Sequence, residues 1–126
     1  MKFILTASIR KAEFEPLQKI FSLEVIKIAA RKCLEGLGTK IKSSKKISST
    51  ILKKIPLTGT GGAGRATFLL QIVEDRAILV MLRLKNDKKV GENMSVNNTK
   101  FKKVFDKNLD LLMDDIKNDD YEEFEL

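Results

Sequence analysis

Arg65, Arg83 and Lys85 stand at the open end of two apolar runs, with Lys53 and Lys54 just upstream and Lys88 and Lys89 just downstream. That set of side chains suits a phosphodiester. Guanidinium groups stabilise charge developing on phosphate, and a lysine with a lowered pKa can move protons. Arg65, Arg83 and Lys85 are therefore the candidate catalytic groups, and Lys53, Lys54, Lys88, Lys89, Lys45 and Lys46 the candidate contacts to a phosphate backbone. The chain has no histidine, and Cys33 is its single cysteine, so zinc fingers, histidine acid/base pairs and internal disulfides are excluded. No metal or cofactor is expected. Asp75, Asp87 and Glu92 read as turn and surface acids, and Cys33 as a small core residue. Aromatic stacking platforms are sparse, because the phenylalanines fall mainly at core spacing and Tyr121 lies in an acidic tail.

A second pattern, Gly59-x-Gly61-x-x-Gly64, matches the dinucleotide fingerprint in letters only. In that fingerprint the glycines join a strand to a helix whose N-terminus holds pyrophosphate, whereas these follow Pro56 and lead into a strand. Two readings stay open. The glycines either give a strand entrance its unusual backbone angles, or leave N–H groups that approach phosphate closely.

The elements that must position these groups follow from periodicity. Ala66 to Val73 and Ala77 to Lys85 are short runs rich in Val, Ile, Leu and Phe, separated by Glu74, Asp75 and Arg76, which predicts an antiparallel hairpin. An odd-length connection pairs Ala66, Phe68, Leu70 and Ile72 with Leu84, Leu82, Val80 and Ile78 on one apolar face. It sets Arg65 opposite Lys85 and Thr67 opposite Arg83 on the other face, so one side is core and the other partly cationic. Lys2 to Ser8 reads as a first strand, and Pro16 suits the first turn of a short helix. Ser22 caps a second helix with Leu23, Ile26, Ala30, Cys33 and Leu37 inside, closed by Gly36 or Gly38. Thr39 to Lys54 has weak periodicity and predicts a loop with one short helix near Ser48 to Lys53. Asn86 to Asn98 is a polar loop. A last helix begins at Asn97 or Asn98 and carries Phe101, Val104, Phe105, Asn108, Leu109, Leu112 and Ile116 along one stripe. The class is α+β: a small antiparallel sheet covered by an N-terminal helical hairpin and a C-terminal helix. One domain spans 1–117, and 118–126 is a loosely held acidic tail.

The formal net charge of +7 hides an asymmetry. From residue 114 onward there are seven acids against Lys117, which leaves 23 basic and 10 acidic groups before it. Gly36 to Val73 has no acid at all while holding Lys40, Lys42, Lys45, Lys46, Lys53, Lys54 and Arg65. Such a field steers polyanions, either nucleic acid or an acidic protein. Met1 to Ser8 is too short an apolar run for a signal peptide or a membrane span, and cysteine usage fits a reduced, cytoplasmic setting.

The order strand, helical hairpin, basic linker, Gly64-Arg65-led strand, turn, apolar strand ending Leu82-Arg83-Leu84-Lys85 and closing helix resembles the RelE/ParE superfamily of bacterial toxin-antitoxin toxins. That resemblance implies a RelE-like fold and an endoribonuclease that cuts messenger RNA on the ribosome, partnered by a small antitoxin. It places Arg65 as the strand arginine, Arg83 or Lys85 as the later cation, and Lys53 and Lys54 as the upstream lysines. Active members often carry tyrosine or histidine where this chain has Asn93, Met94 and Ser95, which keeps open a ParE-like gyrase inhibitor or a non-catalytic RNA-binding protein.

Overall fold

Strand-forming runs supply a six-stranded sheet, and the computed structural model describes residues 1–42, 47–86 and 99–126 of the chain. Its strands are β1 (Lys2–Thr6), β2 (Thr39–Ile41), β3 (Thr50–Gly59), β4 (Gly62–Gln71), β5 (Arg76–Leu84) and β6 (Tyr121–Glu125). They lie in the order β2-β3-β4-β5-β1-β6. β1 runs parallel to β5, and every other pair is antiparallel. Among the described residues three α-helices, α1 (Ala7–Ile9), α2 (Leu23–Leu34) and α3 (Thr99–Lys117), complete an α+β fold.

The predicted hairpin is present as β4 and β5, but its register differs. Arg65 pairs with Arg83 and Thr67 with Met81; beyond a bulge the pairs are Phe68 with Leu79 and Gln71 with Arg76. Val80 is the extra residue. A bulge removes one residue from the ladder, and the buried Asn108 of α3 compensates by donating Nδ2–H to the Val80 carbonyl at 2.9 Å. The turn is longer than predicted: Arg76 belongs to β5, Ile72 and Val73 are exposed, and Asp75 takes the positive φ of 53°, which aspartate tolerates better than most residues.

Helices lie on both faces of the sheet, and the face expected to be partly cationic also buries Thr67 and Leu69. Lys53 reaches the carbonyls at the end of α2, so the face of Lys53, Ile55, Phe68, Ala66 and Leu70 is the α2 face. Thr67 and Leu69 point the other way, toward the side on which α3 crosses β5 and β1, and both are fully buried. The N-terminal hairpin is also lopsided. Its first leg is α1, a π turn over Arg10–Phe14 and a 3-10 turn over Glu15–Leu17 with Pro16 in its first turn. This leg lies beside β5 where β1 has ended. Its second leg, α2, starts at the predicted cap, where Ser22 Oγ accepts from Val25 N–H at 3.3 Å, and buries Ile26, Ala30 and Cys33; Leu37, expected inside, lies past the helix end and is 56% exposed. Gly36, at φ 105°, sits where Gly36 N–H bonds Cys33 O and Leu37 N–H bonds Lys32 O, a Schellman closure.

Two further expectations are overturned. Ser48 to Lys53 is not helical: it turns into β3, each of whose ten residues has a partner on β4. Pro56 is admitted there because β2 pairs only as far as Lys54, leaving β3 an edge strand beyond it. The acidic segment 118–126 is not loose either. Tyr121–Glu125 pairs with β1 at every position, and Phe124 stacks on Phe3 with ring centroids 5.9 Å apart. The predicted cap at Asn97 or Asn98 lies outside the described residues.

Candidate nucleic-acid interface

Strand pairing puts Lys54, Arg65 and Arg83 on one face of three adjacent strands. Arg65 and Arg83 are direct cross-strand partners, and Lys54 stands opposite Thr67, one position diagonal to Arg65. Side chains so placed lie about 5 Å apart directly and 7–8 Å apart diagonally. Two guanidinium groups at that spacing repel, and the fold answers with an acid that sequence reasoning missed. Glu13, in the π turn, is 2% exposed, and its carboxylate accepts from Arg83 Nε at 3.0 Å, Arg83 Nη2 at 2.8 Å and Leu82 N–H at 2.9 Å. The Leu82 N–H is available because β1 ends before it can pair there. Nothing in the Arg10-Lys11-Ala12-Glu13-Phe14 sequence marks Glu13 as special; only the end of β1 makes it so.

The remaining predicted residues divide. Lys85 follows β5 at the same end, and its N–H continues the ladder by donating to Ala63 O at 2.9 Å. Lys53 is separated from Lys54 by strand alternation: its side chain turns to the α2 face, is 7% exposed, and donates Nζ–H to Leu37 O at 3.0 Å and Cys33 O at 3.4 Å. It therefore caps the C-terminus of α2, where the orphan carbonyls favour a cation, and cannot present its amine to RNA. Burial of the adjacent Cys33 pushes its thiol up to about 11, with Lys53 opposing the rise. Lys45, Lys46, Lys88 and Lys89, with Asp87, Glu92 and the Asn93-Met94-Ser95 stretch, lie outside the described residues. Asp75 is a turn acid, paired with the Met1 amino group at 3.1 Å.

The glycines of the β3–β4 turn serve packing. The chain from Leu17 to Ser22 crosses the hairpin tip so closely that a Cβ on Gly59 would sit 2.1 Å from Ile20 O. One on Gly64 would meet Arg83 O and the Phe21 ring at 2.5 Å. Thr60 N–H donates to Ile20 O at 3.0 Å, so it is not left for a phosphate. Only Gly61, at φ 76°, needs glycine's backbone freedom within the turn itself. Between this tip and the end of β5 lies a cleft of about 570 Å³ bordered by Ile20, Gly62, Leu84 and Lys85.

Among the described residues no group of three or more acids, cysteines or histidines could hold a metal ion, and no helix is long and apolar enough to cross a membrane. No protein-family model, curated protein or solved structure matches the chain.

Proposed function

We propose that the chain is a RelE/ParE-type toxin of the cytoplasm, held in check by a small antitoxin, whose Lys54–Arg65–Arg83 face binds messenger RNA on the ribosome and promotes its cleavage. The observation that carries this reading is the direct opposition of Arg65 and Arg83 on one sheet face, with Lys54 on the neighbouring strand. Like charges directly opposed repel; the Glu13 carboxylate offsets part of that repulsion at Arg83, and an anionic ligand on the same face would offset more. The strand and helix order, and the basic balance of everything before residue 114, support the same reading.

In this reading Arg65 and Arg83 stabilise charge on the scissile phosphate while Lys54 and Lys85 fix the flanking backbone. Glu13 positions Arg83. Its carboxylate also neutralises part of that cation, which favours a second reading: binding without cleavage, as in a gyrase-inhibiting toxin or an RNA-binding module. Expression without antitoxin separates these. The expected result is growth arrest with messenger cleavage on translating ribosomes, and a loss on the order of 100-fold in cleavage for Arg65→Ala, as for removal of one transition-state donor. Arrest without cleavage, accompanied by gyrase-dependent DNA damage, selects the gyrase inhibitor. Neither arrest, cleavage nor a gyrase effect sinks the toxin reading.

A further inference from the structure

Toward the β3–β4 tip the arginine face opens to solvent. Thr67 and Met81, in the row of Lys54, are buried, whereas Pro56, Thr58, Ala63 and Lys85 beyond them are exposed and Arg65 and Arg83 half-buried. Register fixes how the cations stand on this surface. Lys54, opposite Thr67, lies about 7–8 Å diagonally from Arg65, and Arg65 faces Arg83 at about 5 Å. Lys85 continues the ladder two residues past Arg83, about 7 Å further along the same face. The cations therefore form three stations of nearly even spacing: one ammonium, a pair of guanidinium groups, one ammonium. An extended sugar-phosphate backbone advances a comparable distance per nucleotide, so successive phosphates match successive stations. Pro56, Thr58 and Ala63, the other exposed side chains of these rows, are short and uncharged and leave the way clear. The stations are not equivalent. Two guanidinium forks can engage both free oxygens of one phosphate, whereas an ammonium acts as a point charge.

We infer that this face is a track for three successive phosphates, in which the arginine pair takes the middle one and Lys54 and Lys85 take its neighbours. The inference rests on the phosphate-binding reading of the face and adds a length and a place in the chain. The linkage held by the arginines is an internal one, with a further phosphate on each side. A lone phosphate, or the last linkage of a strand, leaves at least one ammonium without a partner and binds more weakly.

The test is calorimetric titration of the full chain with uncleavable 2′-O-methyl oligouridylates that lack terminal phosphates and carry one to five linkages, each at several salt concentrations. The log-log salt slope should deepen by about 0.7 per linkage from one to three, and then be the same for three, four and five. In Lys54→Ala and in Lys85→Ala it should stop deepening at two linkages. The one-linkage dinucleotide, which occupies the arginine pair alone, should bind both lysine variants as it binds the parent chain. A slope that stops anywhere but at three linkages in the parent chain, or still at three in either lysine variant, overturns the track while the phosphate face stands. If no oligonucleotide of any length binds at low salt, the phosphate-binding reading falls and the track with it.

Discussion

Adjacent lysines in one strand have opposite fates. Lys53 is buried against the end of α2 and Lys54 is half-buried on the arginine face, because successive side chains alternate across a sheet. Lys53→Met should cost roughly 1–2 kcal/mol in urea unfolding, the loss of charge-assisted bonds to helix-end carbonyls, and leave RNA affinity unchanged. Lys54→Ala should reverse that pattern, keeping stability while lowering the log-log salt slope of single-strand binding by about 0.7. Identical effects of the two substitutions would contradict the assigned faces. Glu13 is the more consequential side chain. Glu13→Ala removes the buried carboxylate that Leu82 N–H and Arg83 share and should destabilise the fold by about 3 kcal/mol, read by thermal or urea unfolding. A loss under 1 kcal/mol would mean that solvent replaces the carboxylate easily.

At the scale of elements, the glycine turn is shaped by the segment that crosses it. Gly59→Ala must displace the Ile20 carbonyl, 2.1 Å from the new Cβ, whereas a Cβ on Gly61 meets nothing within 4 Å. Overpacking against backbone should cost Gly59→Ala about 3 kcal/mol or more. Gly61→Ala should cost only about 1 kcal/mol, for its positive φ. Comparable melting temperatures for the two variants would show that the crossing segment moves aside and that close approach does not select glycine here.

For the whole molecule, sheet order separates charge. The acidic strand β6 borders β1 at one edge, and the lysine-rich β2 and β3 form the other. Three strand spacings lie between β6 and β4, roughly 14 Å, well beyond the screening length of about 8 Å at physiological salt. The tail therefore does not shield Arg65 in the way a loose acidic end would. Deleting residues 118–126 should strip Phe124 from Phe3, uncover β1 and lower the unfolding midpoint, with no gain in RNA affinity. A truncated chain that is equally stable and binds RNA more tightly would restore the picture of a mobile acidic competitor.

By itself the sequence determined the elements whose pattern repeats locally: the apolar runs of β4 and β5, the Ser22 cap and inner face of α2, and the α3 stripe with Asn108 set into it. These depend on 2.0 and 3.6 residue periods and on capping chemistry, which act within one element. Tertiary structure alone decided the rest. The β4–β5 register turns on a bulge at Val80 that no alternation of residue types announces, and Asn108 supports it from another element. β3 was illegible because Lys53 interrupts its buried face, and a lysine is admitted there only where helix-end carbonyls await it. β6 was illegible because an acidic edge strand and a solvated tail have the same composition, and only the free side of β1 distinguishes them. Glu13 joins the site for a similar reason: its value lies in an N–H and a guanidinium about seventy residues away, and long-range contacts of that kind leave no local signal.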